Sequence, residues 1–175
     1  MTNPKTEYSN REKFTDKYGG TNNECYTPEI AIHPLLPFLD KSKIIWDCAY
    51  GTGRLAEHFR KQGFKVIGAD EDFLGSDWDD ECYDIIITNP PYSLKDEFLE
   101  KAFKIGKPFA FLLPLTTLEG IRRGKLFMTN GLQMIIPNRR INFEIPSGKK
   151  SAWFPTAWFC WGLNLPKDLN FVELK

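Results

Sequence analysis

From residue 43 onward, short apolar runs alternate with stretches of helical periodicity. The runs lie at 43–48 (Ile44, Ile45, Trp46), 65–69, 83–88 (Ile85, Ile86, Ile87) and 109–113. Each has the length of a strand, and the third is apolar at successive positions, as a central parallel strand buried on both faces should be. Between them, residues 54–62 place Leu55, Ala56 and Phe59 on one side of a helix that Gly63 ends. Residues 94–105 do the same with Phe98, Leu99, Ala102 and Phe103. Strands alternating with helices predict an α/β fold with a doubly wound, mostly parallel sheet. A helix over 118–128 follows, then strands over 133–136 and 157–163. A long polar excursion, 137–155, separates these two strands, and the pair predicts an antiparallel edge to the sheet. Upstream, residues 28–39 have a helical pattern that Pro34 and Pro37 make irregular.

The 175 residues suffice for one domain with a real core. Residues 1–24 are polar and read as an N-terminal arm, leaving 25–175 as the folded unit. Lys and Arg number 23, as do Asp and Glu, so the net charge is zero. That excludes a strongly basic domain while leaving room for a local basic face. The four cysteines form no C-x-x-C pair and there are only two histidines, so no metal site is expected. Reduced thiols, no apolar run of about 20 residues and no secretory signal predict a cytoplasmic protein without a membrane span.

Candidate chemistry sits at the strand ends, where open α/β sheets bind ligands. Asp47-Cys48-Ala49-Tyr50-Gly51-Thr52-Gly53 joins the first strand to its helix. Gly51 and Gly53 let this turn approach a ligand closely, although a plain strand-to-helix turn would carry the same pattern. Asp70, after the second strand, can accept hydrogen bonds from both hydroxyls of a ribose; Asp72 is the competing carboxylate. Asp77 can accept from an adenine amino group, and Trp78 beside it can pack on the ring.

Asn89-Pro90-Pro91-Tyr92 follows the third run. Two successive prolines fix the backbone and remove two donors, which leaves the carbonyls of Asn89 and Pro90 and the Asn89 side-chain oxygen as acceptors. Such acceptors suit a planar amino group, whose delocalised lone pair makes it a poor nucleophile. Drawing on both of its hydrogens turns that lone pair toward a methyl donor without a strong base. Tyr92 can stack on the acceptor ring, and its face favours a sulfonium cation.

With these residues the chain resembles the class I S-adenosylmethionine-dependent N6-adenine DNA methyltransferases, from residue 26 onward. Tyr26-Thr27-Pro28 is similar to the family segment that touches the methionine end of the cofactor. Asp47, Ala49, Gly51 and Gly53 fall on its glycine-rich loop, with Cys48 and Tyr50 departing from the usual residues. Asp70, Asp77 and Trp78 fall on its ribose and adenine contacts, and Asn89 to Tyr92 match its catalytic run, with Asn89 also near the cofactor. The resemblance implies a seven-stranded Rossmann-like methyltransferase sheet and S-adenosyl-L-methionine as cofactor.

Asn138 to Phe143 is similar to a segment of small phage-type members, in which an arginine-bearing loop leads to an aromatic on the flipped base. That assigns Arg139 and Arg140 to the nucleic acid and Phe143 to the base; the alternative for Phe143 is a core position. Other basic clusters are Arg122, Arg123 and Lys125, and Lys149 and Lys150. The segment order resembles the gamma arrangement, but no separate target-recognition domain is expected. Target recognition then falls to loops or to a protein partner. DNA is the first acceptor; adenine in RNA and a protein glutamine are alternatives for the same chemistry, and a catalytically silent nucleic-acid-binding subunit is a third reading.

Overall fold

The computed structural model describes residues 26–68, 73–75, 82–144, 150–151 and 154–175. Asp70, Asp72, Asp77, Trp78, Lys149 and the 1–24 arm lie outside the described residues.

The strands are β1 (Ile44–Asp47), β2 (Lys65–Gly68), β3 (Ile85–Thr88), β4 (Phe109–Pro114), β5 (Gln133–Pro137), β6 (Phe143–Glu144), β7 (Lys150–Ser151), β8 (Thr156–Trp161) and β9 (Leu169–Val172). Seven of them form one sheet in the order β2-β1-β3-β4-β8-β5-β9. Neighbours among β2, β1, β3 and β4 pair in parallel, as do β5 and β9, while β8 runs against both β4 and β5. The antiparallel part is therefore the block β8-β5-β9 at one side, with β8 as the reversed strand. The helices are α1 (Arg54–Lys61), α2 (Lys95–Ile105) and α3 (Ile121–Asn130).

Side chains alternate between two apolar layers, one on each face of the sheet. Ile45, Ile87 and Leu112 join Leu55 and Phe59 of α1 and Ala31, Ile32 and Leu35 on one face. Trp46, Ile86 and Phe111 join Phe98, Leu99 and Ala102 of α2 on the other. Trp158 anchors the first layer, donating its indole N–H to the Ala31 carbonyl at 2.8 Å.

Four local differences from the sequence pattern have physical causes. Residues 28–39 form two single 3₁₀ turns, Glu29–Ala31 and Leu36–Phe38, because the prolines cannot continue an α-helical ladder. The helix expected from 118 begins at Ile121, after a 3₁₀ turn (Leu115–Leu118) and Gly120 at φ 132°. The excursion at 137–155 contains the short hairpin β6–β7. Strand β9 has no counterpart in the sequence reading, since its apolar residues Leu169 and Phe171 are exposed while Asn170 is buried.

Candidate active site

The turn after β1 is a glycine-rich loop that feeds α1. Gly51 (φ 52°) and Gly53 (φ 76°) hold left-handed backbone, and Gly53 donates its N–H to the Tyr50 carbonyl at 2.8 Å. Tyr50, the departure from the family pattern, folds its ring over Gly53 and Gly68. A Cβ on Gly53 would lie 2.6 Å from Tyr50 Cζ, and one on Gly68 would overlap the ring. The Tyr50 hydroxyl accepts from Arg60 of α1 at 3.3 Å, and the same guanidinium donates to the Val66 carbonyl at 2.9 Å. The larger residue is thus accommodated by two glycines, and it ties the loop to α1 and β2. Cys48 is buried, and burial pushes its thiol well above the usual range, so it stays protonated and inert.

Asp47 ends β1 and is 1% exposed. Its Oδ1 accepts from the Thr88 hydroxyl at 2.6 Å, and the Thr88 oxygen accepts from the Ala49 N–H at 3.2 Å. Thr88 ends β3, so one hydroxyl joins the ends of two neighbouring parallel strands to the glycine loop. Asp47 Oδ2 is buried without a hydrogen-bond partner among the described residues. Burial raises the Asp47 pKa to about 6, against the opposing bond from Thr88.

One residue beyond Thr88 lies Asn89, followed by Pro90, Pro91 and a 3₁₀ turn, Tyr92–Leu94, that leads into α2. Asn89 Nδ2 donates to the hydroxyl of Thr27 at 3.1 Å. That bond turns the amide oxygen away, and Asn89 Oδ1 is buried without a partner among the described residues. Thr27 is itself buried, and its carbonyl lies 3.1 Å from Nε2 of His58 on α1. Its neighbour Tyr26 pairs with Glu144 of β6 through N–H to O bonds of 2.7 and 3.2 Å. Arg54 adds a clasp, bonding Glu144 at 2.6 Å with its guanidinium 4.1 Å from the Tyr26 ring centroid. Segment 26–28 therefore links α1, the end of β3 and β6.

Tyr92 meets Phe154 edge to face at 5.4 Å between centroids. Phe143 is only 5% exposed and packs in the layer with Ile141 and Trp158, which is the core position left open as its alternative. Arg139 is exposed and spends one donor on the Leu174 carbonyl at 2.9 Å, and Arg140 beside it is exposed. Arg122 and Arg123 are engaged by α2, through Glu97 and Glu100 and through Asp96 respectively. Thr88 and His58 were not singled out from the sequence, and Thr27 was expected at the methionine end of the cofactor rather than as the partner of Asn89. Thr88 had a signal, as the polar end of an apolar run directly before Asn89.

The orphaned acceptor of Asp47 tests whether the site fits the implied cofactor. Asp47 Oδ2 lies at a strand end beside the glycine loop, and leaving such an atom buried and unpaired is costly. A ligand N–H or ammonium group would satisfy it, so the residues present suit a cofactor that carries such donors, and Asn89 Oδ1 on the adjacent strand end is left for a second donor.

No protein-family model matches the chain, and no curated protein matches it significantly. Among solved structures, a type I restriction-modification methyltransferase subunit from Streptococcus thermophilus aligns with a TM-score of 0.55 and 17% identity, over 93% of this chain and 50% of its own. The fold is a methyltransferase fold. The chain spans about half the length of that subunit. A TehB-like SAM-dependent methyltransferase from Corynebacterium glutamicum aligns at 0.47 and 14% identity, over 90% of this chain and 98% of its own. A dimethyladenosine transferase from Plasmodium falciparum aligns at 0.48 and 10% identity, over 78% and 62%. At these scores the second and third likenesses add nothing to the first. Among the described residues no helix is long and apolar enough to cross a membrane.

Proposed function

We propose that the chain is an S-adenosyl-L-methionine-dependent methyltransferase that modifies the N6 amino group of adenine in DNA, in the cytoplasm. The observation that carries this reading is Asn89, whose Nδ2 is held by Thr27 while its buried Oδ1 is left as an acceptor. When bound, the cofactor would supply an electrophilic methyl group and leave as the neutral thioether, its sulfur keeping the electron pair of the broken sulfur–carbon bond. Asp47 at the end of β1 and segment 26–28 would hold it, and Asp70, Asp77 and Trp78 would take its ribose and adenine.

Asn89 Oδ1 accepts one hydrogen of the target amino group, and the Pro90 carbonyl accepts the other. The nitrogen lone pair is thereby localised and aimed, and the nitrogen releases one proton to water as its new bond to carbon forms. Positioning and fixed acceptors do the work that a base would otherwise do. Tyr92 stacks on the adenine, which must leave the helical stack to reach it. Phe154, in contact with Tyr92, takes the place first assigned to Phe143 as the second aromatic. Arg139 and Arg140 contact phosphates, which positions the strand without reading its sequence. The fold is shared with a restriction-modification subunit twice as long, which supports a nucleic-acid acceptor and a separate partner for target recognition.

Transfer of a tritiated methyl group onto DNA, RNA and a protein extract tests the acceptor: label on DNA is expected, and label on RNA or protein alone overturns it. Asn89→Ala should abolish transfer while cofactor affinity, measured by calorimetry, stays within about threefold. Activity surviving that change refutes the mechanism.

A further inference from the structure

Strand β9 closes one side of the sheet and pairs only with β5 among the described strands. Asp168 and Val172 give their carbonyls to the N–H groups of Met134 and Asn138. In a parallel ladder the intervening residues turn their backbone groups the other way. Among the described residues, Leu169, Phe171 and Glu173 therefore present N–H and C=O groups without a backbone partner along the outer edge. Their side chains share one face, on which Leu169 is 51% and Phe171 74% exposed. The opposite face is satisfied, with Asn170 donating to the carbonyls of Met134 and Lys167, and Leu174 in the core. An open edge that also displays large apolar residues is a pairing surface, which sheets otherwise blunt with charge or proline.

The charge pattern selects the occupant. When β9 is laid antiparallel on a second β9 about a twofold axis at Asn170, Leu169 of each copy faces Phe171 of the other. In that register the outward backbone groups meet as hydrogen-bonded pairs, and Lys167 faces Glu173 twice. Lys167 and Glu173 are both exposed. Bonds from Gln133 and Asn170 to the Lys167 carbonyl hold the bend that presents Lys167. Shifting the axis by one residue, to Phe171, would set Lys167 against Lys175. We infer that β9 is a homodimer interface, through which two copies of this chain join their sheets edge to edge in the Asn170-centred register. The inference stands apart from the methyl-transfer reading.

Sedimentation equilibrium of the 175-residue chain over about 1–100 μM should show a monomer–dimer equilibrium. Phe171→Asp should leave only monomer, with the melting curve that the wild type shows at concentrations where it too is monomeric, because the side chain is exposed in the monomer. Lys167→Glu and Glu173→Lys should each weaken the dimer about tenfold, since every symmetric pair is changed twice, and the double charge swap should restore it to within about threefold. A chain monomeric throughout overturns the inference and leaves the edge to a strand from a different protein. A dimer that survives Phe171→Asp, or a charge swap that fails to restore pairing, overturns it as well.

Discussion

Replacing Asp47 with Asn separates the two roles assigned to this carboxyl. Its pKa of about 6, against an ordinary value of 3.8, arises from burial. That rise corresponds to about 3 kcal/mol between the protonation states. The sign follows from proton counts. Between pH 4 and pH 6 the native state holds a proton that the unfolded chain has released, so this group's contribution to stability falls as pH rises and is flat above about 6. Asn cannot ionise but keeps an oxygen for the Thr88 hydroxyl. In urea unfolding, the stability of Asp47→Asn minus that of the wild type should therefore rise by up to about 3 kcal/mol from pH 4 to pH 7. Taking this difference cancels the carboxylates held low by their partners, such as Glu100 beside Arg122, whose contribution has the opposite sign. Cofactor affinity should move the other way. A donor bound to Oδ2 needs the ionised form, so wild-type affinity should grow about tenfold between pH 5 and pH 7. The variant should lose that slope and bind about 10- to 100-fold more weakly at pH 7. A flat stability difference refutes the burial argument. Equal affinities of the two proteins at pH 7 remove Asp47 from the cofactor site.

Two further outcomes follow from the packing around the loop and the asparagine. Gly68→Ala should destabilise by about 1–3 kcal/mol in urea unfolding, because its Cβ overlaps the Tyr50 ring, and Tyr50→Ala in the same chain should recover most of that loss. Thr27→Val keeps the shape but removes the acceptor that holds Asn89 Nδ2; kcat should fall about tenfold, by more than cofactor affinity does, as measured by steady-state kinetics and calorimetry.

The elements legible in the sequence are those whose apolar residues face inward. The run Ile85-Ile86-Ile87 marks β3 because both faces of that strand are covered. Strand β9 escaped the reading for the opposite reason, since an exposed Phe171 beside a buried Asn170 reverses the rule by which strands are recognised. Asn89 to Tyr92 stood out because two prolines directly after a buried strand are locally unusual. The contacts that orient the site did not. Thr27 and Asn89 are 62 positions apart and Arg54 and Glu144 are 90 apart, and no local spacing in one chain marks such contacts. Phe143 and Phe154 show the same limit: both are aromatics of one excursion, and only tertiary packing sends the first to the core and the second to Tyr92.

The described contacts make the amide of Asn89 a dependent part of a larger tie. Asn89 is aimed by Thr27, Thr27 is bonded through its carbonyl to His58 on α1, and α1 begins at the glycine loop that Tyr50 and Arg60 bind to β2. The same segment is bridged to β6, in the excursion that brings Phe154 to Tyr92. The glycine loop, Asn89 and the Tyr92–Phe154 pair thus share one short peptide, residues 26–28, as their common support. A buried acceptor has catalytic value only if its direction is fixed before the substrate arrives. A backbone turn alone would leave χ1 and χ2 of Asn89 free. The bond from Thr27 removes that freedom, which is why the residue ahead of the first helical turn belongs to the proposed active site as much as the run that follows β3.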